Sequence, residues 1–104
     1  MNMIKMIQQA ATMRKEMKQI QKTLAKKTTQ FSGEGGKLTA VARGDMVIDS
    51  IKIDPSLLDP ARVEKLEKAI ITVVNGALAS AKSMAGSEMS KLSSEMGLGG
   101  LMGG

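Results

Sequence analysis

From Met3 onward, apolar residues recur at Met3, Met6, Ala10, Met13, Met17, Ile20 and Leu24, separated alternately by three and four residues. Only an α-helix brings such positions into one line, so this alternation commits the start of the chain to a helix with an apolar stripe. A helix of about 25 residues is roughly 38 Å long at about 1.5 Å per residue. The rest of a 104-residue chain is too small to cover it. The helix is therefore expected to project from the body or to pair with a second copy. The seam runs for fewer than four heptads, and its methionines and alanine specify pairing only weakly, so packing on other elements is expected too.

The same helix concentrates the charge of the chain. Among the first thirty residues Lys5, Arg14, Lys15, Lys18, Lys22, Lys26 and Lys27 stand against Glu16 alone, a net +6, while the remainder sums to −1 and the whole to +5. In the helical register Lys5, Arg14, Lys15, Lys18, Lys22 and Lys26 lie off the seam. One face can bury apolar side chains while another presents cations. A segregated basic helix beside a near-neutral body suits a polyanion, because phosphate contacts gain from counterion release and long-range attraction. All seven cations are candidate DNA-binding residues.

Composition narrows the function classes. There is no Cys and no His, which removes disulfides, thiol nucleophiles, thiolate metal sites and the usual proton shuttle at neutral pH. Carboxylates such as Asp45, Asp49 and Asp54 have no partner set for acid–base or metal chemistry. The expectation is a non-enzyme without metal, cofactor or small-molecule substrate. One Phe and no Trp or Tyr leave an aliphatic, methionine-rich core. A chain this short buries only roughly 60 to 70% of its unfolded surface, which favours an oligomer. Lys and Gln interrupt every apolar stretch near the N-terminus, so neither a signal-peptide core nor a membrane span is expected there, and the location is expected to be cytoplasmic.

After the helix, Thr28, Thr29 and Phe31 bring strand propensity, and Gly33-Glu34-Gly35-Gly36 reads as a hairpin turn rather than a phosphate loop, lacking the Gly-Lys-Ser or Gly-Lys-Thr ending. Residues Lys37–Arg43 and Met46–Ile53 read as strands about a Gly44-Asp45 connection, in a hairpin or three-stranded meander. The alternation Val47, Asp49, Ile51, Ile53 leaves Asp49 on an apolar face, an edge or turn position. Asp59 and Pro60 then form an N-cap and first-turn pair for a second helix. Its stripe of Val63, Leu66, Ile70, Val73, Val74, Ala77, Leu78, Ala81 and Ala85 is broad enough to lie on the sheet as the core helix. Asn75-Gly76 in mid-helix costs about 1 kcal/mol against a good helix former, for which close packing on another backbone would be a reason. Beyond Gly86 the sequence turns to Ser, Met and Lys. Residues 97–104, rich in Gly and Met, are expected to be a disordered tail after a single domain of residues 1–96.

This arrangement resembles the YbaB/EbfC family of bacterial nucleoid-associated DNA-binding proteins over nearly the whole chain. The likeness rests on the Gly-rich turn after the basic helix, on the Val74-Asn75-Gly76-Ala77-Leu78 stretch and on the closing Met-Gly-Leu. The passage Ile51-Lys52-Ile53-Asp54-Pro55-Ser56-Leu57-Leu58 is its most specific part. It implies an α+β fold of long N-terminal helix, three-stranded antiparallel sheet and long C-terminal helix. It further implies an intertwined homodimer whose paired helices extend like tweezers and bind duplex DNA with little sequence preference. Many family members carry Asp directly after the asparagine of the second helix, where this chain has Gly76, so no role of that Asp carries over.

Recognition by backbone contact needs only cations, whereas single-strand binding relies on aromatic platforms, of which this chain has one. Double-stranded DNA is the expected partner, with slight specificity because Arg14 is the one arginine among the seven cations. Bending, bridging or coating DNA would be the physical output. The alternative is a protein-interaction module whose methionine seam docks a partner helix. A membrane is not expected, since the helix lacks Trp, Phe and Leu at inserting positions. Lys82 and Lys91 of the second helix are further candidates for DNA contact.

Overall fold

A computed structural model describes residues 2–95 and gives the α-β-β-β-α order read from the sequence. Helix α1 spans Met3–Lys26, strands β1 Thr28–Gly33, β2 Leu38–Arg43 and β3 Ile48–Ile53 follow, and helix α2 spans Val63–Glu95. The sheet is an antiparallel meander, β1-β2-β3. The expected tail, residues 97–104, lies outside the described residues.

The core is made by α2 lying over β1 and β2. Leu38, Ala40 and Ala42 of β2 meet Val73, Ala77 and Ala81 of α2, all buried. Alternate β2 residues are buried, as a strand with one covered face requires. Four of the seven buried apolar side chains are alanine, so the helix sits close to the sheet and the core is thin.

Three departures from the sequence reading have physical causes. Asp49 does lie on an edge strand, β3, but not on its apolar face: Val41 pairs with Ser50 and Ala42 with Ile48, which leaves Asp49 as the extra residue of a β-bulge. The bulge shifts the side-chain phase, so Ile48, Ile51 and Ile53 share the α2 side while the exposed Asp49 is expelled from the ladder. Next, Asp59 accepts from the Ala61 N–H at 2.9 Å, but it caps a 3₁₀ turn over Pro60–Arg62, and α2 begins at Val63. Finally, α2 continues through Gly86 to Glu95. One helical glycine costs only about 1 kcal/mol, too little to end a helix already fixed on a sheet. By length and composition Pro60–Lys91 could cross a membrane, but its Val73, Ala77 and Ala81 are packed on the sheet as those of a core helix are.

Gly76 is needed for a close approach, and what approaches is the single aromatic ring rather than a backbone. A Cβ on Gly76 would lie 2.6 Å from Phe31 Cδ1 and 2.7 Å from its Cγ. Gly76→Ala should therefore lower the melting temperature, with a cost of about 1–3 kcal/mol from overpacking that exceeds the helix-propensity gain of about 1 kcal/mol. In a Phe31→Ala background the same substitution should stabilise. Thermal melts of the four proteins in that double-mutant cycle provide the check.

Candidate nucleic-acid interface

Helix α1 leaves the body almost at once. Its side chains are exposed from Met3 to Lys15 and again over Met17–Gln19, Leu24 alone is buried, and the described residues extend 69 Å along the longest axis. Its hydrogen-bonded attachment to the sheet lies at its C-terminal end. The Gly44 N–H donates to the Leu24 carbonyl at 3.0 Å and to the Lys27 carbonyl at 2.9 Å, and a Cβ at Gly44 would stand 2.8 Å from the Leu24 oxygen. At the far end the Asn2 side chain accepts from the Ile4 N–H at 3.1 Å, capping the first turn.

The structure places Lys5, Arg14, Lys15, Lys18, Lys22 and Lys26 on α1, all exposed. With successive residues about 100° apart, Arg14, Lys15, Lys18, Lys22 and Lys26 fall within an arc of about 120°, with Lys5 beyond its edge. Glu16, the one acid of α1, lies outside that arc. Five cations on one arc of a projecting rod make a positive stripe unobstructed by the body. The seam residues Met3, Met6, Met13 and Met17 are also exposed, at 49–76%. The stripe the sequence reserved for burial is thus uncovered in a single chain.

Lys27 stands apart from the other six. It follows the last turn of α1, half-buried, and its Nζ donates to Glu88 Oε1 of α2 at 2.6 Å. Sixty-one positions separate the partners, so nothing local in the sequence announces the pair. The hydrogen bond from Lys27 holds the Glu88 carboxyl below its ordinary range, aided by the charges of Lys27 and Lys91 and opposed by partial burial. Lys82 and Lys91 are exposed on α2. Among the described residues no group of three or more acidic side chains gathers as a metal site.

The fold matches a crystal structure of an uncharacterized protein from Helicobacter pylori, with a TM-score of 0.74 over 92% of this chain and 97% of that one, at 18% identity. A family model described as the YbaB/EbfC DNA-binding family matches residues 1–96. The chain belongs to that family. Its relatives include a nucleoid-associated protein of Ruminiclostridium cellulolyticum, 43% identical over 98% of this chain and 87% of the relative. Another, of Thermoanaerobacter pseudethanolicus, is 39% identical over 96% of this chain and 90% of the relative.

Sequence reasoning about this YbaB/EbfC-family chain missed Ile4 and Ile7, which lie off the seam and are 63% and 65% exposed. Their signal was a second, shorter helical period overlaid on the first.

The Lys27–Glu88 pair has a pH signature. A carboxyl with a depressed folded-state pKa adds stability above the ordinary glutamate value of 4.5 and loses it as pH falls through the lower folded value. Glu88→Gln should lower the melting temperature at neutral pH, and its difference from the parent should vanish once the pH has fallen below the lowered carboxyl value. Parallel melts across that range read both.

Proposed function

We propose that this chain is a nucleoid-associated protein that binds double-stranded DNA with little sequence preference, as a homodimer, through the exposed cations of α1. Family membership and the names of the relatives support DNA as the partner and the nucleoid as the location. The observation that carries the residue-level reading is the stripe of Arg14, Lys15, Lys18, Lys22 and Lys26 on a helix that stands clear of the body. Such a stripe neutralises phosphates on successive turns without reading bases, as suits a protein that bends, bridges or coats DNA. Lys5 extends the charge toward the tip. Lys27, engaged with Glu88, serves chiefly to seat the helix. Phe31, the single aromatic, rests one side on α2 at Gly76 and is 40% exposed; one ring cannot supply the successive platforms on which single-strand binding relies, which favours duplex over single strands. The role is binding and not catalysis. Residues 1–96 act as the DNA-binding unit, and residues 97–104 are dispensable to it.

Uncovered apolar surface supports the homodimer. Besides the α1 seam, Ile71 of α2 is 60% exposed, and Ile51 and Ile53 line the α2 side of β3, beyond the strands that α2 covers. Apolar patches of this extent on a domain with a thin core mark an interface. The parent should run at the mass of two chains in light scattering, and Met17→Glu with Ile71→Glu should reduce it to one while helicity persists.

DNA contact is tested by gel shift on random-sequence duplex at several salt concentrations. Changing Lys15, Lys18 and Lys22 to Glu should weaken binding to every duplex alike. If each lysine meets one phosphate, the slope of log affinity against log salt should fall by about 2.7 per chain. Unchanged affinity at physiological salt would move the contact surface to Lys82 and Lys91.

A further inference from the structure

Ile4, Ile7 and Ala11 follow one another at three and four residues, and Arg14, Lys15, Lys18 and Lys22 continue the same column. At about 100° per residue, all seven lie inside one arc, centred about 130° away from the line of Met6, Met13 and Met17. A partner on the methionine seam therefore leaves this second strip open. Asn2 holds the first turn helical, so the two isoleucines are displayed on an ordered scaffold.

The occupant of such a column must accept cations and branched apolar side chains along one line. A lipid surface would bury the strip only by drawing the collinear Arg14 and Lys18 toward hydrocarbon, which is costly. A second copy would set like charges against each other. Duplex DNA meets both demands, with phosphates for the cations and a base step for an apolar wedge entering from the minor groove. Arg14 lies about 10 Å along the axis from Ile7, so one helix can hold a strand and enter the adjoining groove.

We propose that Ile4 and Ile7 form an apolar wedge that enters the minor groove and parts a base step, kinking the duplex that the cations of α1 hold. This rests on the duplex-DNA reading above. It assigns the α1 tip a task separate from affinity: the cations bind and the isoleucines deform.

The test uses the full chain on duplexes carrying a fluorescence-transfer pair at their ends, or 2-aminopurine at TA steps, which unstack readily. On the parent the ends should approach with a kink of about 20–90° and the 2-aminopurine emission should rise. Ile4→Ser with Ile7→Ser should bind with an unchanged salt slope and roughly tenfold weaker at most, yet lose both signals. Ile4→Leu with Ile7→Leu should keep them. Circular dichroism and particle mass should match across all three proteins. Bending and unstacking that persist in the serine variant, or that are absent from the parent while it binds DNA with steep salt dependence, would overturn the wedge and leave the DNA reading standing. A serine variant of reduced particle mass would assign the strip to a second copy and overturn it as well. No duplex binding by the parent at low salt would remove both.

Discussion

The fold depends on the closeness of α2 to β2. Ala77 and Ala81 oppose Ala40 and Ala42 beside the buried Leu38 and Val73, while the larger Ile48, Ile70, Val74 and Leu78 pack only around the margin, so the helix axis is drawn down toward the sheet and the contact excludes water with little volume. Small residues hold two backbones in register because any added methylene forces them apart. Such a core buries modest apolar area, and modest area means modest stabilisation at about 25 cal/mol per Å². The apolar groups left over on α1, β3 and α2 stay uncovered in a single chain and are the surface on which the proposed homodimer draws.

This economy separates support from function. The sheet and α2 make a platform, and α1 is fastened to it at its C-terminal end. The cations are thereby kept away from the acids of the body, including Glu64 and Glu67 early in α2, which would otherwise weaken their field. Lys27 shows the boundary between the two roles. Part of the basic run in sequence, it is bound in space to Glu88 and acts as a fastening.

The larger features were legible because each rests on a period or a breaker. The three-and-four spacing gave α1, the Gly33–Gly36 cluster gave the first hairpin turn, and the broad stripe from Val63 to Ala85 gave α2. What escaped depended on phase or on distance along the chain. The bulge at Asp49 resets strand phase by one residue and leaves no mark in composition. Asn75-Gly76 was visible as a fault, but that Phe31 fills the gap is a tertiary fact. The six exposed cations were legible by charge and register; the pairing of Lys27 across the fold was not. Ile4 and Ile7 were hidden because the stronger methionine period absorbed the apolar residues around them.

The attachment of α1 at its C-terminal end makes it a lever on a narrow bearing. The Gly44 amide meets the carbonyls of Leu24 and Lys27 where no Cβ could intervene, while about 31 Å of helix extends beyond, at about 1.5 Å per residue. Rotating the helix by about 10° at that bearing swings its free end through roughly 5 Å, close to the width of a minor groove. A small angular change at Gly44 thus becomes a large displacement of the basic arm, reached without disturbing the packed alanines.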